Sequence, residues 1–353
     1  MKSSFGKNII VTIDGGSHRE SVGVTIEGLP KDISIDHEKL QRFLDRRAPG
    51  NSPYTTRRKE PDILHLLSTL PLRYCIYNED YHSRPYHVTE TIPRPGHADF
   101  TAYKKYGMDF PMAGGGPFSG RMTAPLCIAG GIALQLLEKK GVIVKAHLYQ
   151  VGAVKDTSFS PTMTAFPEIA EDPFPVIAKQ SADAMKNTIQ EAISSKDSVG
   201  GIVEVAAIHV PTGLGGPMYQ GVESILSPIF FGIPAVKGVE FGAGFGSCTM
   251  KGSQNNDPFM IDASGNIVTV TNNHGGLLGG ITSGMPIICR IGFKPTPSIG
   301  REQHSVNIET GTPATITLSG RHDPCVALRA VPVCEAAMAI GLLDLLMENK
   351  GEL

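Results

Sequence analysis

The sequence predicts one domain, 1–353, in which helices and sheets are interleaved, and three observations carry that expectation. Short β-branched runs alternate with helical stretches along most of the chain. No low-complexity linker cuts the 353 residues into separate units. One stretch, Ser119 to Lys140, is apolar almost all round, the pattern of a helix buried on several sides. Its small residues Ala124, Ala129, Gly130, Gly131 and Ala133 suit close neighbours.

Taken in order, Ile9 to Ile13 and Val22 to Glu27 are β-branched runs flanking Asp14-Gly-Gly-Ser-His18-Arg-Glu, which reads as strand, site loop and strand. Asp36 caps a helix through Arg47 that Ala48-Pro49-Gly50 ends. The basic loop Tyr54-Thr-Thr-Arg57-Arg58-Lys59 is either a solvated surface or, beside Arg46 and Arg47, an anion funnel. Leu72 to Tyr77 is a strand running into Asn78-Glu-Asp80-Tyr-His82-Ser83, and Asp99 is an N-cap for a helix through Tyr106. Beyond Lys140 follow a strand (Val142 to Val151), a helix (near Pro175 to Ser194), a long β run (Ile202 to Val210) and a helix (Gly221 to Phe231). Val236 to Phe241 and Ile287 to Phe293 are strands, separated by glycine-rich polar loops through Asp257 and through Asn272 to Gly280. The last helix starts at Pro332, a first-turn residue, and puts Val333, Ala336, Ile340, Leu343 and Met347 on one face. Ser119-Gly-Arg121 is echoed by Ser319-Gly-Arg321, each ahead of an apolar helix with a nearby cysteine.

Composition sets the outer bounds. With 41% hydrophobic and 19% charged residues the chain has apolar mass for a real core. A net charge of -2 gives no bulk attraction to nucleic acid. The nearest approach to a membrane span, Ala124 to Leu137, is too short, and the N-terminus lacks a signal-peptide pattern, so neither a membrane nor export is expected. Six scattered cysteines without a C-x-x-C pair or zinc-like spacing read as reduced thiols of a cytoplasmic protein, with no metal site. Forty glycines and 26 prolines leave much of the chain to loops, where a scaffold keeps its site.

Two of those loops concentrate chemistry. In Arg94-Pro-Gly-His97-Ala-Asp99, the proline and glycine hold a histidine on a rigid turn, and histidine is the side chain that titrates nearest neutrality. The run Gly114-Gly-Gly116-Pro-Phe-Ser119-Gly-Arg121 sets bare amides, a hydroxyl and a guanidinium at a helix start, which suits anions. Taken singly, each is an ordinary turn; together with His18, His322-Asp323, Lys294 and several arginines they point to a bulky anionic ligand with histidine acid–base chemistry beside it. No dinucleotide fingerprint, P-loop, H-E-x-x-H or G-x-S-x-G elbow is present.

Ordered blocks across nearly the whole chain resemble the chorismate synthase family. They are Gly-Ser17-His18, Leu-Asp-Arg46-Arg47, Tyr-Thr-Thr-x-Arg58, Asn78-x-Asp80, Arg94-Pro-Gly-His97-Ala-Asp99, Lys105-Tyr-Gly and Gly114-Gly-Gly. They continue through Asp197-Ser-Val-Gly-Gly, Pro211-x-Gly-Leu-Gly, Ala235-Val-Lys-Gly-Val-Glu240, Gly-Ser-Gln254-Asn, Asn273-His-x-Gly-Gly, Lys294-Pro-Thr-Pro-Ser-Ile and Gly-Arg321-His-Asp323-Pro-Cys-Val. The resemblance implies an α+β sandwich with long helices between antiparallel sheets, assembled as a homotetramer. It implies the anti-1,4-elimination of phosphate from 5-enolpyruvylshikimate 3-phosphate to give chorismate. That reaction belongs to the shikimate pathway of aromatic amino acid biosynthesis and uses reduced FMN with no net redox change, NADPH being a possible reductant. By the same resemblance His97 would protonate the reduced flavin and His18 would serve the departing phosphate, with Ser17 and Ser119 as relay or positioning hydroxyls. Asp323 would take part in proton removal. Flavin contacts would fall on Ser119, Pro234, Ala235, Gly279, Lys294, Pro295, Thr296, Pro297, Ser298 and Arg321; Arg47, Arg121 and Arg321 would clamp substrate anions.

The chain departs from the family pattern in three loops. Gly-Glu-Ser-His-Gly becomes Gly15-Gly16-Ser17-His18-Arg19, Ser-Arg-Tyr becomes Ser52-Pro53-Tyr54, and Arg-Ser-Ser-Ala-Arg becomes Pro117 to Arg121. Two arginines are thereby lost, for which Arg19, Arg57 and Arg84 are the candidate replacements, and the segment between Asp62 and Asn78 reads as shortened. The losses motivate the alternative of a divergent paralogue that binds flavin or an anionic metabolite without this turnover.

Overall fold

The computed structural model describes residues 3–30, 33–50, 52–80, 88–170, 174–318 and 322–348. Its first sheet is built from β1 (Ser3–Phe5), β2 (Ile10–Gly15), β3 (Ser21–Glu27), β4 (His65–Thr69) and β5 (Leu72–Tyr77), all antiparallel in the order β1-β2-β3-β5-β4. Val22, Val24 and Ile26 on β3 are buried with Val11, Tyr74 and Ile76 of its neighbours, the period of two that gives a sheet one apolar face. The segment read as shortened is thus a β4–β5 hairpin. Strand β4 is mostly exposed and carries no clean alternation.

Helix α1 (His37–Arg47) starts as expected, the Asp36 carboxylate accepting from the Lys39 amide at 2.9 Å. Helices α2 (Asp99–Tyr106) and α3 (Thr123–Lys139) follow. The second sheet, order β7-β6-β8-β10-β9, contains β6 (Ile143–Val151), β7 (Val154–Lys155), β8 (Gly201–Ile208), β9 (Val236–Phe241) and β10 (Ile287–Phe293), again antiparallel. Helices α4 (Lys179–Ser194), α5 (Val222–Gly232) and α6 (Val326–Leu346) complete the frame.

Helix α3 lies on the first sheet, α6 lies on β6 and β8 of the second, and the two helices pack directly on each other. The result is the α+β sandwich of helices between antiparallel sheets. Small residues make the contact possible: a Cβ on Gly130 would overlap Ala336, and one on Gly131 would meet Leu40 of α1 at 2.5 Å. One large apolar cluster fills the space between the sheets. A smaller one, with Phe159, Met163 and Ile288, covers the outer face of the second sheet under the segment that follows β7.

Two expectations need correction. The last helix starts at Val326, not Pro332, so the proline lies inside it; a helix-start signal was read from a residue that here only removes one backbone donor. Two helical segments, Gly120–Lys139 and Val326–Leu346, are long and apolar enough to cross a membrane, whereas the sequence reading found none. Their most apolar windows are 78% and 89% buried inside the protein, as core helices between two sheets are. All six cysteines are free, five of them buried and Cys248 exposed. The second Ser-Gly-Arg echo lies outside the described residues.

Candidate functional site

Loops from both halves of the sandwich converge on a cleft of about 610 Å³. Its wall is formed by Ser17 and His18 after β2, Arg47 at the end of α1, Arg58, the Arg94–Ala98 turn, the Gly114–Arg121 run before α3, Phe231–Lys237, Lys294–Ser298, and His322, Asp323 and Arg329 at the start of α6.

The Arg94 turn is held by a buried ion pair. Asp99 is not the N-cap: Ala98 is, and Asp99 is the first helical residue. Its carboxylate accepts from Arg94 Nε at 2.6 Å, from Arg94 Nη2 at 2.7 Å and from the Arg94 amide at 3.0 Å, and lies 2.7 Å from His97 Nδ1. Arg94 Nη1 also donates to Ser298 Oγ at 3.1 Å, tying the turn to the Lys294–Ser298 loop. Arg94 Nη2 is 3.0 Å from His97 Nδ1 as well, but a guanidinium only donates, so the Nδ1 proton goes to Asp99 and Nε2 is left for the cleft. Burial pushes the His97 pKa down, and Arg94 adds to this while Asp99 opposes it, so the net value is below the ordinary one.

The glycine run is bare because two histidines press on it. Gly114, Gly115 and Gly116 all have positive φ (60°, 88° and 50°). A Cβ on Gly114 would run into the His18 imidazole, and one on Gly115 would sit 3.3 Å from His97 Nε2. The run therefore brings His18 and His97, 79 residues apart in sequence, to one wall. Ser119 then caps the turn into α3, its Oγ accepting from the Arg121 amide at 3.3 Å. Ser17 is buried, its amide donating to the Gly116 carbonyl at 3.4 Å and its hydroxyl accepting from Arg58 Nη1 at 3.4 Å.

The guanidinium groups are held by buried carboxylates. Arg47 donates from Nη1 to Asp62 Oδ2 at 2.6 Å, from Nε to Thr123 Oγ1 at 3.1 Å and from Nη2 to the Gly120 carbonyl at 3.1 Å. Arg121 bonds the other oxygen of Asp62 through Nη1 and donates to Asn78 Oδ1 from Nε at 2.8 Å. Glu60 takes Arg58 Nη2 at 2.7 Å. Asp323 accepts from the Thr56 amide and from Arg329 Nη1, each at 2.8 Å. Beside it, burial, Arg94 and His97 push the His322 pKa down to about 4 against the pull of Asp323. Lys294, whose amine donates to the Gly96 carbonyl, has its pKa lowered by burial and by Lys237.

Of the expected site residues, the structure brings His18, His97, Ser17, Ser119, Asp323, Arg47, Arg121, Pro234, Ala235, Lys294, Thr296, Pro297 and Ser298 to this cleft. Pro295 faces an adjoining recess that shares Lys237 and Lys294 with it. Gly279 does not line the cleft; it belongs to a small hairpin formed by Leu277–Leu278 and Ile281–Thr282. Arg321 and Arg84 lie outside the described residues. Arg19 and Arg57 are exposed and do not line the cleft; besides Arg47 and Arg121, the arginines and lysines that line it among the described residues are Arg58, Arg94, Arg329, Lys237 and Lys294. Sequence reasoning quoted Arg94, Arg58 and Asn78 only within motifs, named Asp62 only as the bound of a segment, and passed over Glu60 and Arg329. The signal available was Glu60-Pro-Asp62, two acids directly after a basic loop.

A family model described as chorismate synthase matches residues 9–347. A chorismate synthase of Thermococcus gammatolerans is 42% identical, over 98% of this chain and 98% of that protein. The chorismate synthase of Pyrococcus abyssi is 43% identical, over 97% of each, and that of Lancefieldella parvula 40% identical, over 98% of this chain and 96% of that protein. A crystal structure of chorismate synthase superposes with a TM-score of 0.75, covering 98% of this chain and 93% of that one at 22% identity, which speaks for the fold.

Proposed function

The chain belongs to the chorismate synthase family and has the family's lyase activity; we propose that the cleft described above is where 5-enolpyruvylshikimate 3-phosphate loses phosphate in a 1,4-elimination to chorismate. The observation that carries this reading is the meeting of His18 and His97 on one bare glycine run inside an arginine-walled cleft. A substrate with a phosphate and two carboxylates needs several guanidinium forks, and the cleft has five arginines besides two lysines.

The wall also fits a flavin mononucleotide. Positive charge from Lys237 and Lys294 suits its phosphate. The flat surfaces of Pro234, Ala235 and Pro297, with open space over Gly120, suit a planar ring. The residues proposed to hold it are Ser119, Pro234, Ala235, Lys294, Thr296, Pro297 and Ser298, with Pro295 behind them and Arg321 added from the resemblance. When bound, reduced flavin would supply the transient electron density that eases departure of phosphate.

In this reading the protein does the rest. Asp99 fixes the His97 tautomer, so Nε2 is the atom that holds and releases a proton toward the cleft. With the Nδ1 proton directed to Asp99, Nε2 is bare in the neutral ring and carries a proton only in the imidazolium. Because burial and Arg94 hold the His97 pKa below its ordinary value, a proton taken up at Nε2 is readily given back to the cleft. His18 meets the leaving phosphate, with Arg58 and Ser17 beside it. Arg47 and Arg121 fix the anionic groups, and Asp323, oriented by Thr56 and Arg329, faces the hydrogen that is removed. We further propose a homotetramer in the cytoplasm with NADPH as the ultimate reductant. Support for assembly comes from exposed Met218, Tyr219, Phe245 and Ile261, and light scattering tests it.

The deciding experiment mixes the pure protein anaerobically with photoreduced FMN and 5-enolpyruvylshikimate 3-phosphate and follows phosphate and chorismate together. Equal release of both is expected. Flavin binding with no phosphate release would favour instead a paralogue that binds without turnover.

A further inference from the structure

Asp62 has no chemical role in the reading above, yet it bonds two arginines that have one, Arg47 and Arg121. It is fully buried and sits at φ 50°, a left-handed conformation rare for a residue with a side chain and tolerated best by Asn and Asp. One carboxylate oxygen takes Arg47 and the other takes Arg121. Burial alone would raise the Asp62 pKa, but Arg47 and Arg121 outweigh it and hold the carboxyl below its usual range. Arg121 in turn is anchored on two of its three nitrogens, Nε by Asn78 and Nη1 by Asp62. Its third, Nη2, is buried without a hydrogen bond although Glu60 Oε2 is only 3.6 Å away. A buried donor is normally satisfied, and a small turn of the guanidinium would reach Glu60. The orientation is imposed by the other two anchors, against the bond that Arg121 would otherwise complete.

We propose that Asp62 is a positioning residue: held at its positive-φ corner after Pro61, it sets the spacing and plane of Arg47 and Arg121 so that the pair receives an anionic group of the substrate. This rests on the reading of the cleft as the family's active site. The competing role for a carboxylate between two arginines is charge neutralisation, and the two roles predict opposite signs. If Asp62 positions, its removal lets the guanidinium groups turn away and anion binding weakens. If it merely neutralises, its removal leaves the arginines short of a counter-ion and anion binding tightens.

The test is Asp62→Asn, which keeps the size and the tolerance of positive φ while removing the charge. Calorimetry would measure inorganic phosphate, 5-enolpyruvylshikimate 3-phosphate and FMN against wild type and variant. The expected result is binding of both phosphate ligands weakened about tenfold or more, FMN affinity unchanged, and in turnover a raised KM with kcat much less affected. Equal or tighter phosphate binding overturns the proposal, as does a parallel loss of FMN affinity, which would mark a general structural role. Should Asp62→Asn not fold, Arg47→Gln is compared with the pair Arg47→Gln/Asp62→Asn, in which an amide pair replaces the ion pair. Weaker phosphate binding in the double variant supports positioning of Arg121, and equal binding overturns it. A wild-type protein that binds inorganic phosphate in this Asp62-dependent way but makes no chorismate would sink the proposed reaction and leave the positioning role standing. A wild-type cleft that binds no phosphate ligand overturns the positioning role itself.

Discussion

His97, half-buried on the cleft wall, and His147, fully buried on the outer face of the second sheet, are both imidazoles with carboxylate neighbours. His147 lies with Nδ1 3.1 Å from Asp156 Oδ2 and Nε2 3.0 Å from Glu204 Oε2, so both ring nitrogens have partners. Those carboxylates are held in turn, Asp156 by the amides of Ile177 and Ala178 and Glu204 by Arg290. Burial pushes the His147 pKa down, but Asp156 and Glu204 outweigh it and the net value is raised. His97 has one carboxylate, which Arg94 already neutralises, and its net value is lowered. The comparison teaches that burial beside an acid does not mark a working histidine. What separates the two is a ring nitrogen left over after the protein has made its own bonds. His274, closed between Asp257 and Ser283, falls with His147.

The sharpest way to break this comparison is a pair of truncations. His97→Ala should lower kcat by about 100-fold or more, the usual worth of a positioned proton donor, with the folded state little disturbed. His147→Leu should instead leave two buried carboxylates facing an apolar side chain and cost about 3 kcal/mol of stability, with kcat unchanged. Denaturant unfolding and phosphate-release assays on both variants would decide it, and a loss of turnover in His147→Leu would dissolve the distinction.

The pH dependence of stability sharpens it further. A raised folded pKa at His147 gives stability that is complete below the unfolded value near 6.5 and is lost as pH rises through the raised value. Lowered pKa values at His97 and at His322, the latter about 4, give stability present above the unfolded value and lost as pH falls. His147→Leu should therefore flatten the alkaline limb of the stability profile, and His322→Gln the acid limb. Smallest of all, Arg19→Ala should leave substrate affinity within about 0.5 kcal/mol of wild type, since its exposed side chain lies outside the cleft.

Local pattern made much of the fold legible. Strand Ile287–Phe293 and the start of α1 at Asp36 were read to the residue, because β-branched runs and N-caps act over short spans. Pro332 misled because proline marks helix starts often enough to mask a helix already six residues old. The histidines and the glycine run were legible as neighbours with chemistry, but the reason for the bare glycines was not, since the rings that crowd them come from distant loops. The pairing of Asp62 was hidden for the same reason: its partners lie 15 and 59 residues away, and no spacing rule joins an acid to arginines at such distances. Gly279 shows the reverse case, a position carried over by resemblance that the fold places on a separate hairpin and not on the wall of this cleft.

The contact between Gly130 and Ala336 reaches beyond packing. Each helix that meets there begins at the cleft, α3 behind Ser119 and Arg121, α6 behind His322 and Asp323. With no side chain at Gly130 to compress or rearrange, the joint works as a fixed ruler whose two arms end at the opposite banks of the site. The span between those banks is then a constant of the scaffold. Variation in what the cleft admits falls to the residues that pave its walls.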